Sequence, residues 1–357
     1  MPQPSHIDRT DRADRADRAG DVLAVVSQSG PTVSFFDAAD DRHLDTVEIL
    51  AEPHELCFDP TRRLLWCSSA YHSGYYHANS GRRTELTVID ADTRRIVDVI
   101  DLAPEHGPHG LALDAARGRL YVSVEGGEDR PGGVVVIDTE TRRPLGRIDT
   151  DAPGPHWFAI SPDGRTGFAT NKEAPFVSVV DLDKGVLTAK VEVPGSEGLA
   201  VSPDGTRVYA AGPYLSTTTA PGAAPGIRVI DVPTATVTAV LPTDSPALPV
   251  HLTSTGRLLA GEVRLAPDPE NALGRQLTGR LTVFAADDHR RLGSVEVGLF
   301  PLTITSSPDG ALAYVASVVS STVDVIDLAT LTPVSRLTIP KLADPGAHGL
   351  AYLPRPA

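Results

Sequence analysis

The sequence predicts an all-β protein, a seven-bladed β-propeller of four-stranded antiparallel blades closed by its own C-terminal strand. Three observations carry this prediction. One hairpin unit recurs seven times, a second hairpin marked by turn residues falls between the copies, and the inner strand missing at the start of the chain is found at its end.

The recurring unit is two or three β-formers, usually an Asp, a turn and a second strand. Its copies begin at Val33, Leu86, Val134, Val177, Ile227, Leu281 and Val323, and read as the outer strands C and D of successive blades. Between them lie turns reading DPTRR, DAARG, SPDGR, SPDGT, STGR and SPDGA. Pro presets φ, Asp accepts local hydrogen bonds and Gly allows positive φ, so these words specify tight turns between inner strands A and B. Only six such hairpins are complete. The first blade begins with a B-like strand, Val22–Ser27, and its missing A strand is expected at His348–Leu353, which would cover an open sheet edge. Residues 21–357 are thus one propeller. Residues 1–20 repeat Asp-Arg-Ala from Asp11 with no apolar face, and read as a disordered tail.

SPDG followed by strands such as Tyr209–Gly212 (YAAG) and Tyr314–Ser317 (YVAS), then VxVID, resembles the YVTN-repeat β-propeller family over nearly the whole chain after the tail. The resemblance implies the fold and leaves function open, because propellers host unrelated activities. Some relatives in that family are described as DNA-binding. Here the formal charge of −14 and the lack of a Lys/Arg run disfavour nucleic acid and anionic membranes as partners.

Hydrophobic residues make up 41% of the chain but aromatics only 5%, so Val, Leu, Ile and Ala must build the core. No apolar run reaches membrane-span length and no signal-peptide pattern is present, which points to a cytoplasmic protein. Cys57 and Cys67 flank a hairpin turn and read as reduced and buried.

Function is sought at the start of strand A, where a word recurs. Its copies are Pro53-His54-Glu55-Leu56, Pro108-His109-Gly110-Leu111, Pro155-His156-Trp157-Phe158, Ser196-Glu197-Gly198-Leu199, Pro249-Val250-His251-Leu252, Pro301-Leu302-Thr303-Ile304 and Ala347-His348-Gly349-Leu350. The second position holds His348, His54, His109, His156, Glu197, Val250 and Leu302 in ring order. With 11 His in 357 residues, seven random positions would hold roughly 0.2 of them. Strand A is innermost in a propeller, so four imidazoles on consecutive blades converge on the channel mouth. The alternative is an inherited strand-start word whose imidazoles only bond neighbouring carbonyls. An all-His set suits one transition-metal ion, with Fe or Cu favoured and Zn possible. Val250 and Leu302 would form an apolar wall opposite it and leave coordination positions open. Glu197 is the candidate catalytic carboxylate: a fifth ligand, an orienting partner or a general base.

Antiparallel order puts the B–C loops on the histidine face, and the long loops are there: Ala70–Glu85, Glu125–Gly133, Gly212–Gly226 and Arg264–Gly279. The first, with Tyr71, His72, Tyr75, Tyr76 and His77, reads as a substrate lid. The leading expectation is a metal-dependent enzyme acting on a small, partly apolar molecule. The four-His set looks like the iron centre of carotenoid-cleaving oxygenases, which implies Fe(II) or Cu chemistry with O₂. A lyase, lactonase or cyclase using the metal as a Lewis acid, and a non-enzymatic scaffold for a peptide or protein, stand as alternatives.

Overall fold

A computed structural model describes residues 15–75, 78–215, 222–268 and 275–356. Seven four-stranded antiparallel sheets form the ring, each running from an inner strand A to an outer strand D. From blade one to blade seven, the A strands are Ala347–Leu353, Pro53–Asp59, His106–Asp114, Pro155–Ile160, Leu199–Val201, Ala247–Leu252 and Pro301–Ser306. Ala347–Leu353 pairs antiparallel with Val22–Ser27, so the chain's last strand closes its first blade as expected.

The repeated Asp of the C–D hairpin caps its turn. Asp90, Asp138, Asp181 and Asp327 each accept a backbone N–H three residues on, which satisfies donors the turn would otherwise leave open. Strands A to C are buried along most of their length while D strands alternate with solvent. Seven apolar clusters form, one at each blade–blade interface, and join neighbouring sheets around the ring. Cys57 and Cys67 are free thiols, Cys67 buried and Cys57 half-buried.

The tail departs from expectation at its end. Residues 1–14 lie outside the described residues, but Arg15 is buried: its guanidinium bonds the Ala38 carbonyl and takes both Asp41 carboxylate oxygens at 2.7 and 2.8 Å. Arg18 pairs with Asp309 at 2.6 Å. Residues 15–20 therefore dock across the closing seam, through charge-assisted bonds that composition alone does not show.

Candidate metal centre

Each A strand starts irregularly, and the irregularity aims the site. Pro53 faces Ser69 and Leu56 faces Cys67, so His54 and Glu55 together oppose Ser68 alone. The same one-residue bulge recurs at His109, His156, Leu302 and His348. A bulge re-aims a side chain that regular alternation would place elsewhere. Blade six corrects the sequence alignment. There Ala247 faces Glu262 and Val250 faces Ala260, so the residue equivalent to His54 is Leu248. Val250 instead packs into the core between blades five and six. The apolar wall is Leu248 and Leu302. His251, also out of the column, lies 2.9 Å from Ser306 Oγ, and burial lowers its pKa to about 4.

In blades two to four a strand-B hydroxyl clasps the bulge to the next blade, whereas Val26 faces the His348 bulge of blade one. Ser68 Oγ accepts Glu55 N–H and donates to the His109 carbonyl at 2.8 Å. Ser123 Oγ accepts Gly110 N–H and donates to the His156 carbonyl at 2.6 Å. Thr170 accepts Trp157 N–H and donates to the Glu197 carbonyl. Glycine follows His109 and His348 because the next blade's backbone crosses there. A Cβ on Gly110 would lie 2.5 Å from the His156 carbonyl oxygen, and one on Gly349 2.5 Å from that of His54.

The four expected histidines come together. His54, His109, His156 and His348 are each at most 5% exposed. Ring centroids stand 4.6 Å apart for His54–His109 and His109–His156, 5.4 Å for His54–His156 and 4.1 Å for His54–His348. Two imidazoles on one ion at about 2.1 Å per bond have centroids about 4.5–5.3 Å apart at ordinary ligand angles, which suits His54, His109 and His156, while His348 stands closer to His54 than that range. One donor atom from each of His54, His109 and His156 lies within 4.8 Å of the others, and so for His54, Glu55 and His348.

Burial pushes His54 well below its ordinary pKa, helped by His348, His109 and Lys172. His156 is lowered in the same way, by burial and then by Lys172. Burial takes His109 down to about 3 against the opposing Gly107 hydrogen bond. These imidazoles are therefore neutral, as a metal ligand must be.

Glu55 and Lys172 escaped the sequence reading, while Glu125, which sits at the end of a B strand, is read from sequence only as a rim or channel-lining residue of open role. Glu55 is buried, with Oε1 3.2 Å from His348 Nδ1 and 3.6 Å from His54 Nδ1. Burial raises its pKa. Lys172, just after strand B of blade four, is buried with Nζ 3.2 Å from Glu197 Oε1. Burial opposes its charge, but Glu197 and Tyr214 outweigh that and raise its pKa. Glu125 binds Tyr71 and Arg82. Glu197 itself lies 3.4 Å from His156 Nδ1. Glu197 Oε1 thus lies between Lys172 Nζ and His156 Nδ1.

The blade-two loop carries a short two-stranded ribbon. Gly74–Tyr75 pairs with Ala78–Asn79, and Gly74 N–H reaches Glu52, whose pKa burial raises to about 7. Tyr71 is fully buried beneath it and touches His109 and Glu125, so it belongs to the centre and not to an open lid. His72 is exposed beside Arg83. Tyr76 and His77 lie outside the described residues. Next to the ribbon a cleft of about 570 Å³ opens, lined by Arg82, Glu125, Gly126, Arg130, Asp151 and Glu173 among others. Its wall is polar, unlike the partly apolar pocket expected.

The ring and its histidine arc define a seven-bladed propeller with a candidate metal centre at one mouth. No protein-family model matches the chain. Two curated relatives, each an uncharacterized protein YncE, from Salmonella typhi and Salmonella typhimurium, are 28% identical over 149 residues, which is 41% of this chain and 38% of theirs. The match thus spans well under half of those relatives. Kuenenia stuttgartiensis hydrazine synthase has a similar fold, with a TM-score of 0.64 at 17% identity over 80% of this chain and 86% of that one. Together, fold and similarity support a YncE-like propeller. Among the described residues no helix is long and apolar enough to cross a membrane.

Proposed function

We propose that this propeller is a metal-dependent enzyme. Its His54, His109, His156 and His348 arc would hold one transition-metal ion, and a small-molecule substrate would enter from the loop face. The observation that carries the reading is Glu55. A buried carboxylate lies against Nδ1 of two buried histidines, yet Glu55 Oε1, His54 Nδ1 and His348 Nδ1 make no well-aligned hydrogen bond. Buried polar atoms are rarely left so. His54 and His348 would hold a cation while directing their Nδ1–H groups to Glu55, whose carboxylate would offset its charge.

The donor set suits Fe, Cu or Zn. A redox-active ion with O₂ is the leading reading, because Leu248 and Leu302 leave one side of the arc without ligands. The polar cleft at Arg82 and Arg130 favours a second reading, in which the metal acts as a Lewis acid on a polar substrate in lyase, lactonase or cyclase chemistry. Two free cysteines accord with a reducing cytoplasm.

The test is elemental analysis of untagged protein purified without chelator, followed by O₂ uptake and optical spectra. One bound transition metal, lowered in His54→Ala or His156→Ala and unchanged in His43→Ala or His289→Ala, is expected. His43 and His289 sit on outer C–D hairpins. Protein that stays metal-free and takes up no added Fe, Cu or Zn would overturn the reading and leave a non-enzymatic scaffold.

A further inference from the structure

His109 differs in how its ring is held. Nδ1 lies 2.7 Å from the Gly107 carbonyl, which can only accept, so Nδ1 carries the proton and Nε2 the ring's lone pair. That lone pair is what a metal would take, and it faces a phenol: Tyr71 Oη is 3.0 Å from Nε2. The phenol has a single hydrogen for two acceptors, that nitrogen and Glu125 Oε1 at 2.5 Å, and Glu125 Oε2 receives Arg82 Nε at 2.6 Å. The same carboxylate braces the other side of the ring, because Gly107 has φ 60 and a Cβ there would fall 2.8 Å from Glu125 Cδ. Glu125 therefore fixes both the phenol at Nε2 and the peptide at Nδ1.

A metal at about 2.1 Å and a hydroxyl at 3.0 Å cannot share one lone-pair direction. We propose that Tyr71 is a positioning residue that competes with the metal for Nε2 of His109 and so sets the affinity of the site. This rests on the metal reading above. When the metal takes Nε2, the phenol hydrogen turns wholly to Glu125, so the hydroxyl is not stranded in the interior. The site then has two settings: His109 on the phenol with the ion held by the other histidines, and His109 on the ion.

The test uses Co²⁺, titrated against a competing chelator, into metal-free wild type, Tyr71→Phe, His109→Ala and the double variant. Tyr71→Phe should bind Co²⁺ about tenfold more tightly, equivalent to about 1.4 kcal/mol, with a changed visible spectrum. That gain should vanish in the His109→Ala background. Unaltered or weaker binding by Tyr71→Phe, or a gain that survives His109→Ala, overturns the competition while leaving the metal site standing. Binding by neither wild type nor Tyr71→Phe overturns both. Should Tyr71→Phe fold poorly, ¹⁵N spectra of wild-type histidines decide. Zn²⁺ must move the His109 Nε2 signal to that of a coordinated nitrogen and alter the tyrosine absorbance, and a bound ion that disturbs neither refutes the proposal.

Discussion

Removing His348–Ala357 should cost far more stability than the single change His348→Ala, because the strand closes the ring as well as carrying His348. Leu350 and Leu353 are 6% and 1% exposed, packed between blades seven and one and between one and two respectively. Burying each contributes about 1.5–3 kcal/mol, so their loss alone removes about 3–6 kcal/mol, an upper range because unfolded chains are partly compact. Three further ties go with the strand: Tyr352 Oη to Asp21 at 2.6 Å, Arg355 N–H to Asp21 at 2.9 Å and Arg63 to the Pro354 carbonyl at 2.6 Å. Stabilities of folded domains are about 5–15 kcal/mol, so this is a large share. For a chain of this length about 1 kcal/mol shifts Tm by about 1.5 °C, and the truncated protein should melt about 5–9 °C below His348→Ala. Val22–Ser27 would also present an unpaired edge, so aggregation on heating should increase. Differential scanning calorimetry on both variants is the assay. Equal melting temperatures would show that blade one does not need this strand, and the closure argument would fail.

Gly110→Ala should destabilise the protein by at least about 2 kcal/mol and lower metal content, since its Cβ meets the His156 carbonyl, whereas Gly146→Ala, with nothing within 4 Å, should be neutral in the same urea titration. Because burial holds His54 and His156 well below their ordinary pKa and His109 at about 3, Zn²⁺ affinity should change less than about threefold between about pH 7.5 and 5.5. A steep loss centred near the ordinary imidazole pKa would show that the rings are solvated. His251, at about 4 when folded, stays neutral while the unfolded chain gains its proton below about pH 6.5, so its contribution is intact above that pH and is lost as pH falls towards 4, by up to about 3 kcal/mol. His251→Leu should flatten that part of the urea-midpoint curve, and an identical curve would mean that His251 titrates normally.

The blade count, the hairpins and the closing strand were legible because local turn chemistry repeats: each copy's capping Asp and each SPDG word act within a few residues. The four histidines were legible because they share a position in a repeated word. Glu55 was not, although it adjoins His54, because strand alternation points successive side chains to opposite faces and only the bulge brings both to the centre. Lys172 was hidden for another reason. It follows strand B, and its approach to the arc depends on how neighbouring blades pack, which is also why Glu125, visible at the end of its B strand, had no assignable role. In blade six, anchoring the word on Pro249 shifted it by two residues. The bulge there places Leu248 in the column and Pro249 at the position of Glu55.

That substitution of Pro249 for Glu55 shows how the two halves of the ring differ. At Glu55 the bulged N–H is received by Ser68, whose hydroxyl also grips the next blade. Proline has no N–H to satisfy, so it tolerates a bulge without a partner hydroxyl. The residue facing it is Gly261, where a Cβ would lie 2.6 Å from Pro249 Cγ. One half of the mouth is therefore held by hydrogen-bonded clasps from Ser68, Ser123 and Thr170, acting on the backbones of His109, His156 and Glu197. The other is closed by contact between proline and glycine around an apolar Leu248. The clasps act on backbone carbonyls, so they position the ligand-bearing chain independently of any ion. They favour neighbouring imidazoles held at bonding distance over rings that must be gathered when a metal arrives, which would cost conformational entropy at each ligand.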